Sequence, residues 1–181
     1  MRFARPLSLV AVTLMGLSGC SSLQQLTAGT DDVCGGLQQL IADYDTGFSS
    51  FRGKGTTMPL STVYDAKIEL VHRHCQIWNW GAGDSVYLCS ASDPDIEVAK
   101  QRHQQSLTSV RACLGPDWRE EGDWRERNGQ TDGYASRFRS ADTNAVVSIQ
   151  TAVQTTGPRR RYTNFLYIGD EARSSSLGTQ Q

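Results

Sequence analysis

Between residues 33 and 51 apolar side chains return every three or four positions, through Val33, Leu37, Leu40, Ile41, Tyr44, Phe48 and Phe51. That spacing lines one face of an α-helix. Thr30, Asp31 and Asp32 supply cap oxygens and first-turn carboxylates at its start, and Gly53 supplies a stop. Residues 53–59 read as a loop. Over residues 62–71 the period changes to two, with Tyr64, Ala66, Ile68 and Leu70 alternating against Asp65, Lys67 and Glu69. This is the pattern of a half-buried strand, with a helix as the competing assignment. Residues 75–80 and 84–89 flank Gly81-Ala82-Gly83 and predict a β-hairpin turning on glycines. A register symmetric about Ala82 sets Cys75 opposite Cys89, close enough for a cross-strand disulfide.

A second helix is marked by Asp93 as cap, Pro94 as first helical residue, a stripe of Ile96, Ala99, His103, Leu107, Val110 and Leu114, and a stop at Gly115-Pro116. Residues 117–133 are charged and punctuated by Trp118 and Trp124, and read as an irregular crossing whose indoles cover the core edge. Residues 134–139, 145–155 and 160–168 read as three strands, the last two joined across Thr156-Gly157-Pro158. Residues 171–181 have no hydrophobic rhythm and read as a disordered tail. The fold class is therefore α+β, with two amphipathic helices packed on a mainly antiparallel sheet of about five or six strands. Cys34 borders the first helical stripe near its start and Cys113 borders the second near its end, so antiparallel helices would bring them together. Pairing of Cys34 with Cys75 or Cys89 stays open as the alternative, since four cysteines allow three connectivities.

The first 19 residues belong to none of this. Arg2 and Arg5 precede an apolar run over residues 7–17, too short to span a bilayer, and the run closes on Leu17-Ser18-Gly19-Cys20. This stretch resembles the lipobox of bacterial lipoproteins. The resemblance implies cleavage before Cys20, acylation of that cysteine, and, with Ser21 and Ser22 following it, an address at the outer membrane facing the periplasm. It would leave residues 20–29 as a tether of up to roughly 35 Å, residues 30–170 as one domain and residues 171–181 as a tail. Loss of Arg2 and Arg5 with the signal moves the formal charge of −1 to −3, which gives no electrostatic case for general nucleic-acid binding. With Cys20 assigned to lipid, an even set of cysteines remains for two disulfides in an oxidising compartment.

Candidate chemistry is sparse. His72 and His74 lie at strand spacing, and His103 or Asp93 could complete a metal set, but the ligand spacing matches no known pattern, so no metal and no cofactor are expected. Glu120, Glu121, Asp123 and Glu126 lie beside Trp118 and Trp124, a combination that could act on cell-wall glycan, although Arg119, Arg125 and Arg127 interleave to neutralise it. Arg159, Arg160 and Arg161 form the densest positive run and could contact phosphate or carboxylate groups. Trp78, Trp80 and Tyr87 read as sheet-face packing, with Trp78 and Trp80 on one face as a docking surface. The expected role is non-catalytic: an outer-membrane lipoprotein, held to the membrane by its lipid, that binds a protein, peptidoglycan or lipopolysaccharide partner as an accessory or assembly factor. The alternatives are an immunity or inhibitor lipoprotein and a cell-wall glycan-acting enzyme.

Overall fold

The computed structural model describes residues 30–71, 75–81, 83–127, 130–154 and 161–172. They form two α-helices on one eight-stranded antiparallel sheet. The elements in chain order are α1 (Val33–Ala42), β1 (Arg52–Met58), β2 (Ser61–Ala66), β3 (Cys75–Gly81), β4 (Asp84–Asp93), α2 (Ile96–Leu114), β5 (Arg119–Arg127), β6 (Gln130–Arg139), β7 (Val146–Gln154) and β8 (Arg161–Gly169). The strand order β1-β2-β3-β4-β8-β7-β6-β5 joins two four-stranded meanders along a seam between β4 and β8. Helix α2 carries the chain from that seam to the far edge. None of the described helices is long and apolar enough to cross a membrane.

The sheet is thus larger than five or six strands, and both additional stretches are edges. The loop predicted over residues 53–59, a stretch without apolar alternation, is for most of its length strand β1 (Arg52–Met58). As β1 these residues pair with β2 alone and stay largely exposed, so hydrophobic patterning has nothing to record. Gly55 is required there by the Tyr64 ring, which lies across it: a Cβ on Gly55 would come within 2.8 Å of the ring. Residues 119–127, also expected as irregular, form edge strand β5 paired with a β6 that begins at Gln130. Trp118 is half-buried against the core as expected, whereas Trp124 is 71% exposed and meets Tyr134 in a T-shaped ring contact.

Helix α1 starts where the caps predicted, with Asp32 Oδ1 accepting from Gly35 N at 2.7 Å. It ends at Ala42 instead of near Gly53. Asp43 gathers the following turn through Thr46 Oγ1 at 2.6 Å and Ser50 N at 3.0 Å, giving these groups an alternative to helical bonding. Two short 3-10 turns, Tyr44–Thr46 and Ser49–Phe51, follow. Gly47 (φ 69°) and Phe48 (φ 62°) between them are both left-handed. For Phe48 that conformation is unfavourable by about 1–2 kcal/mol, and it is offset by complete burial of the ring beside Tyr44 and Tyr87.

Strand β2 stops at Ala66, and Tyr87 fixes the irregular stretch after it by donating to Ile68 O (3.0 Å) while accepting from Leu70 N (2.9 Å). Burial raises the Tyr87 phenol well above its ordinary value, so this pair of bonds keeps its proton. The hairpin β3–β4 has the symmetric register, with Cys75 opposite Cys89 and the two bridged. Cys34 and Cys113 are also bridged, with Cα atoms 4.8 Å apart, tying the start of α1 to the end of α2. The apolar core lies between the helices and the sheet and includes Leu37, Leu40, Ile77, Leu107, Val147 and Ile149.

Candidate functional site

The site is built where the first half of α2 lies over the β4–β8–β7 part of the sheet. Pro94 restricts the residue before it to extended backbone, so Asp93 remains the last residue of β4 and does not cap α2 as the sequence suggested. Asp95 is the cap, its Oδ1 accepting from Glu97 N and Val98 N, both at 2.9 Å. Freed from capping, Asp93 points under the helix with its side chain wholly buried. Its Oδ1 accepts from Arg102 Nε at 2.8 Å and its Oδ2 from Asn164 Nδ2 at 2.7 Å.

Asn164 uses both amide hydrogens and its carbonyl oxygen. Its amide nitrogen also donates to Ala99 O at 3.1 Å, and its Oδ1 accepts from the Thr151 hydroxyl at 2.5 Å. Because the single Thr151 proton is committed to Asn164, His103 Nδ1, 2.8 Å from Thr151 Oγ1, must be the donor in that contact. The neutral imidazole therefore carries its proton on Nδ1, leaving buried Nε2 as a basic nitrogen with no hydrogen-bond partner among the described residues. The result is a one-way chain of donors, His103 to Thr151 to Asn164 to Asp93, with Arg102 closing the carboxylate end. Burial first, and then the positive charge of Arg111, hold His103 below its ordinary value, against an upward pull from Glu120.

Beside this chain α2 leaves a cleft of about 520 Å³, within the usual range for ligand sites. Val33 and Leu37 of α1, Leu70, Val71, Val110 and Leu166 supply apolar wall. Gln101, Gln105 and Ser109 edge it, and Arg102 and Asn164 bring the polar chain into its lining.

The carboxylates beside the tryptophans do not converge. Glu120 shares a face of β5 with Gly122 and Trp124, whereas Glu121 and Asp123 point to the opposite face. Glu120 accepts a bidentate pair from Arg111, at 2.6 and 2.7 Å, which holds its carboxyl below the usual range. Glu121 meets Arg139 at 2.8 Å and Asp123 meets Arg137 at 3.2 Å. The Glu126 side chain lies outside the described residues.

Trp78 and Trp80 share a face of β3 and stack at 5.9 Å, half-buried, but Tyr87 sits on the other face in the core, so the three are not one cluster. Arg161 is exposed at the start of β8, next to Tyr162, whose register partner is Asp93. Cys20, His72, His74, Arg159 and Arg160 lie outside the described residues. Among the described residues no three His, Cys, Asp or Glu side chains group as a metal set. Sequence reasoning passed over Arg102 and Asn164. A signal for Asn164 existed, since it is the one amide on the inward face of β8, between Tyr162 and Leu166.

No family model matches the chain, and neither a curated protein nor a solved structure matches it.

Proposed function

We propose that this protein is a lipid-anchored, periplasm-facing outer-membrane protein that acts by binding an envelope component, with the cleft beside α2 as its contact site. The observation that carries this reading is the cleft itself, a mainly apolar space of 520 Å³ with Arg102 and Asn164 of the fixed polar network in its lining. Apolar walls with a few oriented polar groups are the ordinary composition of a binding pocket. Arg161, exposed at the start of β8, adds positive charge at the sheet end that also carries Asp93. The glycan-acting alternative draws less support, because Glu120, Glu121 and Asp123 are each engaged by an arginine.

Anchoring and contact are tested together by capture from detergent-solubilised envelopes, using the chain with its native N-terminus. Cys20→Ala is expected to release the protein from the outer-membrane fraction. Ser109→Trp, which fills the cleft from an exposed helix position, is expected to lower recovery of the bound component at least tenfold while leaving the thermal midpoint unchanged. Recovery unaffected by Ser109→Trp overturns the cleft as the contact site, and wild-type fractionation of Cys20→Ala overturns the anchor.

A further inference from the structure

We infer that the cleft takes a long-chain carboxylate, with an aliphatic tail along the trough and the acid head on Arg102; this deepens the reading that the cleft is the contact site. The lining follows α2 from Gln101 to Cys113, about 18 Å at 1.5 Å of rise per residue. Its volume of 520 Å³ holds on the order of fifteen methylene-sized groups. A trough that is long and mainly apolar fits an extended chain better than a compact ring.

Arg102 supplies the head site. Its Nε is fixed by Asp93, and Asp93 is fixed in turn by Asn164, so the guanidinium is held by a buried network. Its two terminal nitrogens have no hydrogen-bond partner among the described residues, and its side chain is 30% exposed at the cleft. A guanidinium with a free edge is a bidentate carboxylate receptor. Asp93 offsets most of the local charge, so the site selects by hydrogen-bond geometry and favours a singly charged head over a doubly charged phosphate. A polypeptide is the poorer occupant. The strands that line the cleft, β4 and β8, are paired on both sides, leaving no sheet edge to bond a peptide main chain.

The test titrates carboxyl-labelled dodecanoate into the full-length chain held in an amphipathic polymer, following the carboxyl carbon by NMR. Dodecanol, dodecyl phosphate and an apolar peptide serve as parallel ligands. Saturable binding of one dodecanoate per chain is expected, at least tenfold tighter than dodecanol or dodecyl phosphate. Arg102→Gln should reduce dodecanoate to the affinity of dodecanol. Equal binding of dodecanol and dodecanoate by the wild type, or tighter binding of the peptide, overturns the assignment of the ligand. If dodecanoate fails to bind while Ser109→Trp still abolishes envelope capture, the carboxylate inference falls and the contact site stands. If Ser109→Trp changes neither dodecanoate binding nor capture, both fall.

Discussion

The two halves of α2 rest on chemically different ground. From Leu107 to Leu114 the helix lies on hydrocarbon, with Leu107, Val110 and Leu114 buried in the core and Cys113 tied to α1. From Ala99 to His103 it lies on a polar chain, with Asn164 bonded to Ala99 O, Asp93 to Arg102 and Thr151 to His103. Apolar contacts are non-directional and accept any side chain of the right volume. A buried polar chain is directional, and one missing member strands its neighbours without water. The same helix is therefore tolerant at one end and exacting at the other.

The largest expected effect strikes the hydrocarbon end. Replacing Cys34 and Cys113 with alanine opens a link across 79 residues, and the chain-entropy relation assigns it about 4.5 kcal/mol, against about 3 kcal/mol for the 14-residue link between Cys75 and Cys89. Denaturant unfolding of the two double variants checks the order, and a greater loss from the shorter link would contradict it. Next comes a direct contrast of the halves. Asn164→Leu keeps the branched heavy-atom skeleton but leaves Asp93, Ala99 O and Thr151 each short of a partner, and should cost about 3 kcal/mol or more. Leu107→Met, which conserves volume in the buried core, should cost under about 1.5 kcal/mol. Comparable losses from both would erase the distinction between the two halves.

The smallest effect is a pH dependence. The folded value of His103 lies below its ordinary 6.5, so between the two values the unfolded chain binds a proton that the folded chain does not. Stability from the neutral ring is complete above about pH 6.5 and is lost as pH falls through the folded value. The thermal midpoint of the wild type should decline as pH falls below about 6.5, and His103→Leu should flatten that decline. Identical slopes in the two proteins would exclude His103 as its source.

The tolerant half was the legible one. The stripe from Ile96 to Leu114 and the Gly81–Gly83 turn are local patterns, and they carried α2, the β3–β4 hairpin and both disulfide pairings. The exacting half was not, because its members meet only through tertiary pairing: His103 bonds a residue 48 positions away and Asn164 one 71 positions away. His103 read as a filler of the helical stripe and Asp93 as a cap, since nothing near them in the chain announces Thr151 or Asn164. The edge strands β1 and β5 escaped for the opposite reason. They bury little, so they carry no alternation to be read.

The path of the chain also sets an order of events. All four disulfide cysteines precede β5, so a chain emerging N-terminus first has exposed every thiol of both bridges before any strand of the second meander appears. Until β8 arrives, the first meander presents β4 as an unpaired edge and α2 covers only part of its final bed. Such a half-built sheet is a template for other strands and a hazard for aggregation. Oxidation before completion would hold α2 against α1 during that interval, in position to receive the four strands that close the seam.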